Sequence, residues 1–486
     1  MSVSRSLQSA RRPRRLPALF ALLWAAPLAL AQYANPTSAA NPFYGSITVA
    51  PVTGETIQLS LDDAIQRGLK TNLGLQEAQN SARAIHAEQM QALQEFLPTI
   101  SLTGDTGFYQ HDLAALGFSA STFNKFAGLF PPGVKPNFPL VTKDTLTEGQ
   151  VHYEQTLFSG PVIAGWRAAG AATRASHFAV NTARGDVVQN VASTYLQSIA
   201  ASSDVENAKA LEQADLVQLN HTRDQHEAGV ASNLDEVRAR VQYQTQQQAV
   251  LAAQNDLDKD LILLKREIGL SPGQDLVLTD HTPYNDLALQ TPEEVRASAF
   301  RYRNDYQNLQ NQVQELKAIH AAYRSQRWPK LSFSGNYGVE AIGGVLSHGT
   351  FAAIGTLSVP VFREAGLRGD IDASQAQLNA VESQLDDLRG KIDQQVRTAL
   401  LDVAAANKLV EVSRSNVDLA TRGLSDETDR VNAGVDDTLP LVTAQAALAA
   451  AQRNLVQSLY AYNVSKLALA RAAGVLELQY RDYIGR

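Results

Sequence analysis

The strongest constraint in this sequence is that it states one structural transition twice. The stretch FLPTISLTG (residues 96–104) returns as RWPKLSFSG (327–335), with Pro329 for Pro98, Ser332 for Ser101 and Gly335 for Gly104, 231 positions later (329 − 98). A second landmark follows each copy, TLFSGPVIAG around Phe158 and VPVFREAGLRG around Phe362. A third is HEAGVASNLDEV around Gly229 and RVNAGVDDTLPLV around Gly434, and a fourth is KREIGL at Gly269 and ARAAGV at Gly474. The spacings agree: 71 residues (229 − 158) against 72 (434 − 362), then 40 (269 − 229) against 40 (474 − 434). Four landmarks in one order at matched spacing identify an internal duplication, so the fold of one half must be the fold of the other. The halves differ between Pro98 and Phe158, where the Phe-, Pro- and Gly-rich run 110–144 reads as a long loop.

Helices fill most of each half. Ser60 with Asp63 reads as a cap and near-capping-box pair, and Thr291-Pro292-Glu293-Glu294 supplies a cap, a proline at the first helical position and a glutamate at the third. A break is expected at Thr71-Asn72. The stretches 160–226 and 366–432 have no proline beyond Pro161, and each can reach about 100 Å as one helix. Leu378, Val381, Leu385, Leu388, Ile392, Val396, Ala399 and Val403 step by three and four, the spacing of a coiled-coil seam. A looser seam runs through Val188, Val191, Tyr195, Ile199, Val205, Ala208 and Leu211. The other faces are rich in Ala, Gln, Asn and Ser, which suits helices with neighbours on both flanks.

Four segments have the period of strands. Leu331, Phe333, Gly335, Tyr337 and Val339 alternate with Ser332, Ser334, Asn336, Gly338 and Glu340, and Phe351, Ala353, Gly355, Leu357 and Val359 with Thr350, Ala352, Ile354, Thr356 and Ser358. In the first half Ile100, Leu102, Thr106 and Phe108 oppose Ser101, Thr103, Asp105 and Tyr109, and Val151, Tyr153 and Leu157 oppose His152, Glu154 and Thr156. Each is about ten residues, the length a tilted strand needs to span a bilayer. An antiparallel sheet on a soluble core has the same pattern, so aromatics must arbitrate. Trp166 and Trp328 lie close to the helix–strand junctions, with Phe96, Pro98, Phe158, Pro329 and Phe362 beside them. They fit an interfacial aromatic belt, or else they pack the junction.

The first residues stand outside this architecture. Five arginines, the apolar run at 16–31 and the closing Ala29-Leu30-Ala31 read as a secretory signal cleaved before Gln32. The mature charge is then −12, from (42 − 5) − 49, so nucleic acid is not an expected partner. No cysteine is present, which excludes disulfides, thiolate metal sites and an acyl-cysteine anchor. No later run approaches the roughly 18 apolar residues of a spanning helix, so a membrane crossing must use strands. The nine histidines are scattered, no metal-ligand spacing or phosphate-binding loop is evident, and neither cofactor nor catalysis is expected. The expected organisation is a signal peptide (1–31), an extended linker (32–58), a first repeat (59–270, strand hairpin about 99–158, helical tip near 229), a linker (271–290), a second repeat (291–475, hairpin about 330–362, tip near 434) and a tail (476–486).

The chain resembles the TolC-like outer membrane efflux proteins. The resemblance rests on LSLDDAIQRGLKTNLGL, the FLPTISLTG and RWPKLSFSG transitions, TLFSG and VPVFREAG ahead of the long helices, the EAGVAS and NAGVDD turns, and the closing IGL and AAGV. It implies a mainly α chain with a membrane β-barrel portion, four strands and long coiled-coil helices per copy. Three copies would form a homotrimer with a barrel of twelve strands in outer membrane lipid and a helical tunnel in the periplasm. It also implies a passive exit duct of an efflux or type I secretion system, docked to a periplasmic adaptor (membrane fusion) protein and an inner membrane pump of RND or ABC type. The helix tips, Gly229, Val230 and Ser232 with Gly434 and Val435, become candidate docking contacts. Asp426, Asp429, Arg430, Asp436 and Asp437 become a candidate charged gate, with Arg430, Arg238 or Arg240 as latch partners. The resemblance implies aspartates in the first turns of the second returning helix, but the matching positions here are Pro440 and Thr443, which moves the expectation to Asp436 and Asp437. Two other readings stay open: a solvated charge run with an Asp426–Arg430 pair at the tip, and for the whole chain a periplasmic coiled-coil structural or adaptor protein.

Overall fold

The computed structural model describes residues 41–116, 119, 125, 131, 140–229, 232–280, 284–288, 290–343, 347–433 and 438–484. The expected signal (1–31), most of the loop within 110–144, and the tip residues Val230, Gly434, Val435, Asp436 and Asp437 lie outside the described residues.

The first half runs β1 (Ile57–Leu59), α1 (Leu61–Thr71), α2 (Leu73–Gln94), β2 (Thr99–Asp112), β3 (Val141–Phe158), α3 (Gly160–Glu227) and α4 (Asn233–Glu267). The second runs β4 (Leu276–Leu278), α5 (Pro292–Tyr302), α6 (Asn304–Ser325), β5 (Lys330–Ile342), β6 (His348–Ser358), α7 (Glu364–Asn432) and α8 (Thr438–Ala472), and closes with α9 (Leu476–Ile484). The duplication holds almost to the residue. Both α1 and α5 have 11 residues, α2 and α6 have 22, α3 and α7 have 68 and 69, and α4 and the equally long α8 have 35.

The caps follow from local hydrogen bonding. The Ser60 hydroxyl accepts from the Asp63 N–H, and Thr291 with Glu294 forms a full capping box. Asn72 separates α1 from α2 in an extended conformation (φ −64°, ψ 133°), accepts from the Leu75 N–H, and donates to the Phe43 carbonyl at 2.6 Å. The second half breaks at Arg303 (φ −66°, ψ 118°), where no side-chain cap announces it in the sequence.

Both seams are buried. Val188, Val191, Tyr195 and Ile199 of α3 and Leu378, Ile392, Val396 and Val403 of α7 belong to one hydrophobic cluster, with Val381 and Leu388 packed against it. α3 packs against α2 and α6 towards its start and against α4 and α8 further on, while α7 packs against α5, α6 and α8. Ala164, Ala168, Ala171, Ala172 and Ala175 are buried in the first part of α3, and their small side chains allow α2 and α6 to approach on both flanks.

The four long strands form one antiparallel sheet in the order β2-β3-β5-β6, so the two hairpins join through β3 and β5. The first hairpin is longer than its sequence pattern suggested: β2 has 14 residues and β3 has 18, and their pairing continues to Asp112 opposite Val141. The loop therefore begins later than residue 110. Thr142, Lys143 and Asp144 carry no apolar alternation, which hid their strand character. Pairing between β3 and β5 stops at Leu146 opposite Ile342, leaving the first hairpin standing five residues proud of the second.

Three smaller features tie the halves together. β1 and β4 pair in parallel, Gln58 opposite Val277. The linker residues 284–287 lie across the helices α7 and α8: Tyr284 donates to Asn407 at 3.1 Å under the Arg414 guanidinium, and the Leu287 N–H donates to the Tyr462 hydroxyl at 3.0 Å. The tail expected at 476–486 is largely the packed helix α9, with Leu476, Tyr480 and Ile484 buried. No helix among the described residues is long and apolar enough to cross a membrane.

Candidate functional site

The register sorts the sheet into two faces. Leu102, Val151, Tyr337 and Phe351 share one row across all four strands, and Ile100, Tyr153, Gly335 and Ala353 share another. Leu102, Tyr337 and Phe351 are 79%, 71% and 81% exposed, so this apolar face covers nothing within the chain. The opposite face is polar. Ser101, His152, Asn336 and Ala352 form one row, and Thr103, Gln150, Gly338 and Thr350 the next. Thr103 and His152 are hydrogen-bonded at 2.8 Å, Asn336 donates to Gln150 at 2.8 Å, and Gln150 donates to Glu148 at 2.8 Å.

One row on the polar face was not singled out from the sequence. Asp105, Glu148, Glu340 and His348 stand directly opposite one another on β2, β3, β5 and β6. Like charges facing across strands destabilise a sheet. Each residue alone looks like an ordinary polar position, and only the register between halves reveals the row.

The strands are staggered. The row through Thr99 passes Glu154 and Ser334 to Ile354, whereas Lys330 pairs with Ser358. The helix-side end of β6 thus lies four residues beyond that of β2. Pro98 and Pro329 therefore do not share a hydrogen-bonding row.

At the helix–sheet junctions the expected aromatics are exposed to different degrees. Trp166, Trp328 and Phe158 are partly exposed, Phe362 is 92% exposed, and Phe96 is intermediate. Trp328 lies across the first turn of α3, where a Cβ added to Gly160 would stand 3.0 Å from its ring. Leu97, Val359 and Val361 extend this exposed apolar band around the junction.

At the first helical tip, Gly229 turns the chain with φ 75° and Ser232 with Asp235 forms a capping box for α4. Arg238 and Arg240 pair within α4, with Asp235 at 3.6 Å and Glu236 at 2.7 Å. Arg430 lies 4.0 Å from Glu427 on its own helix, whereas the sequence had suggested Asp426 as its local partner. The structure thus places Asp426, Asp429 and Arg430 together in the last turns of α7.

Three titratable groups are buried separately among the helices. Glu267 is fully buried at the end of α4, accepts from the Thr194 hydroxyl at 2.9 Å, and burial pushes its carboxyl up to about 8. Asp215 in α3 is pushed up to about 6 by burial, against a hydrogen bond from Gln242. Lys466 in α8 is fully buried, donates to the Asn285 carbonyl at 3.3 Å, lies over the Tyr462 ring, and is lowered to about 8 by burial. Nothing in the local sequence marks these groups, because their burial comes from the linker and the neighbouring helices.

Comparison with known proteins agrees with the two-part build. The family model described as outer membrane efflux protein matches residues 64–270 and 299–475, one block in each half. Comparison with curated protein sequences yields no match. A membrane protein from Pseudomonas aeruginosa is similar in structure at a TM-score of 0.73 and 17% identity, over 85% of this chain and 93% of that one. The Campylobacter jejuni CmeC outer membrane channel is similar at 0.70 and 14% identity, over 90% of this chain and 92% of that one. The Neisseria gonorrhoeae MtrE outer membrane channel, in its open state, is similar at 0.69 and 17% identity, over 89% and 95%. At such identities the likeness of structure speaks for the fold.

Proposed function

The chain belongs to the outer membrane efflux protein family, and from that premise we propose that three copies close one barrel of twelve strands, continued by a helical duct through the periplasm. The observation that carries this reading is the sheet itself. It is four strands wide, apolar and exposed on one face, and unpaired at the β2 and β6 edges among the described residues. Open edges are not tolerated in lipid, so the edges must be met by strands of other copies. A sheet resting on a soluble core, as the structural or adaptor reading requires, would bury Leu102 and Phe351 instead.

The stagger supports closure at a particular tilt. Four residues correspond to about 13 Å along a strand, and three strand spacings to about 14 Å. A tilt of about 43° therefore brings the ends of β2 and β6 to one level, within the range of closed membrane barrels. The aromatic positions Phe96, Phe158, Trp166, Trp328 and Phe362, with Pro98 and Pro329, then mark the periplasmic boundary of the membrane. The polar rows line the water-filled interior.

The duct is passive: cargo enters at the helical tips and leaves through the barrel, with energy supplied by an inner membrane pump of RND or ABC type. The tips at Gly229, Val230, Ser232, Gly434 and Val435 dock a periplasmic adaptor, and Asp426, Asp429, Arg430, Asp436 and Asp437 form the charged gate. The capped, glycine-turned first tip, at the end of α3 away from the sheet, supports this placement.

Membrane fractionation followed by gel electrophoresis with and without heating tests the assembly. The expected species is a detergent-extracted trimer that collapses to monomer on boiling. A mature chain that stays soluble without detergent would sink the reading. Single-channel recordings of Asp436→Ala/Asp437→Ala test the gate, and unchanged conductance and ion preference would remove it.

A further inference from the structure

The helices meet the sheet at four crossings, and three of these carry the same pair: an exposed aromatic ring with an arginine next to it in sequence. They are Trp166–Arg167 near the start of α3, Arg327–Trp328 ahead of β5, and Phe362–Arg363 between β6 and α7. Arg324 and Arg368, within two turns of the same boundary, are exposed as well. Glu364 accepts from both Arg327 (2.7 Å) and Arg368 (2.8 Å), and Glu95 is the acid of the fourth crossing. Five guanidinium groups against the four carboxylates within the same two turns, Glu88, Glu95, Glu364 and Asp370, leave this collar at +1, in a sequence that is acidic overall. Arg167, Arg324 and Arg363 make no side-chain ion pair or hydrogen bond among the described residues.

The fold fixes the level of this collar. The exposed apolar face begins at Ile100 and Leu331 on one side of it, and the polar helices begin on the other. Groups at that level stand where the headgroups of a bilayer would be. An aromatic ring is favoured at the acyl-chain boundary, and a guanidinium fork matches two oxygens of one phosphate. Free arginines beside exposed rings are poorly explained by packing, since neither member is covered.

We propose that this collar binds the anionic phosphodiester headgroups of phospholipids in the periplasmic leaflet. Arg167, Arg324 and Arg363 each take a phosphate, while the neighbouring rings hold the boundary. The proposal rests on the outer membrane reading above and adds a lipid preference to it.

The test uses the full mature chain reconstituted into vesicles of phosphatidylcholine alone or of equal phosphatidylcholine and phosphatidylglycerol. Lipids retained after detergent extraction are counted by native mass spectrometry. The expected result is about tenfold enrichment of phosphatidylglycerol, abolished at high salt. In Arg167→Gln/Arg324→Gln/Arg363→Gln the enrichment falls towards unity while the protein still inserts and assembles. Equal enrichment in wild type and variant overturns the proposal, as does its absence from wild type. The salt titration on wild type decides the matter alone should the variant misfold, because salt-insensitive enrichment is equally fatal. Failure to enter either vesicle tells against the membrane reading itself, whereas insertion without lipid preference removes only the collar.

Discussion

Gly269 and Gly474 hold the same left-handed conformation, φ 75° and 79°, and each is pressed against the break between the two short helices of its own half. Gly269 closes α4 against Thr71, and Gly474 closes α8 against Tyr302 and Arg303. A Cβ at Gly474 would stand 2.7 Å from the Arg303 backbone nitrogen, whereas one at Gly269 would meet the Thr71 hydroxyl at 3.0 Å, so the duplication repeats the turn and its close approach to the break but not the atoms it meets.

This contact separates two kinds of glycine. Gly229 shares the positive φ but has nothing within 4 Å of its missing Cβ. Gly229→Ala is expected to cost about 1–2 kcal/mol, from the left-handed backbone alone. Gly474→Ala adds a collision with backbone and is expected to cost about 3 kcal/mol or more. Thermal dissociation of the purified assembly reads both, and equal losses would refute the distinction.

Stability is expected to pass through a minimum near pH 8. Glu267 has a folded value raised from 4.5 to about 8, so the folded chain holds a proton that the unfolded chain releases, and stability falls as pH rises through that window. Lys466 is lowered from 10.5 to about 8, so between pH 8 and 10.5 the unfolded chain binds the extra proton and stability recovers. The Glu267 window spans up to roughly 5 kcal/mol and the Lys466 window up to roughly 3 kcal/mol. Glu267→Gln should flatten the acid limb and Lys466→Met the alkaline one. Denaturation midpoints measured across pH would contradict this by rising steadily or leaving the variants' limbs unchanged.

The row Asp105, Glu148, Glu340 and His348 runs straight across the sheet's polar face. Glu148→Gln/Glu340→Gln is expected to stabilise the sheet by about 0.5–1 kcal/mol through relief of like-charge opposition. In planar bilayers the reversal potential under a salt gradient should move towards a weaker cation preference. An unchanged reversal potential would take this row out of the conduction path.

Ser232→Ala removes the hydroxyl half of the tip capping box, leaving the backbone N–H of residue 232 on the Asp235 carboxylate, and is expected to cost about 1 kcal/mol, confined to the first turns of α4. Hydrogen exchange should speed up around residues 232–236 with little change in α3. Protection that persists there would show the cap to be dispensable.

The long-range pattern was legible in the sequence because it is written in periods. The steps at Leu378, Leu385, Ile392 and Val396 gave the α7 seam, Ser60 and Thr291 gave the helix starts, and strict alternation at Leu331–Val339 gave β5 and its faces. The break at Arg303 escaped because no cap residue marks it, and it follows only from the matching break at Asn72. The buried Glu267 and Lys466 escaped for another reason. Their surroundings are assembled from α3, the segment before β1 and the linker at 284–287, which no local window contains.

The lengths of α3 and α7, matched to one residue, act as a ruler shared by the two halves. Seven residues inserted into both arms of the first helical hairpin, α3 and α4, would push its tip about 10 Å beyond the other. A change of reach can therefore enter this architecture only as matched extensions of both helical hairpins, one in each half. Duplication makes the depth of the duct a single inherited dimension, which the two hairpins must alter together or not at all.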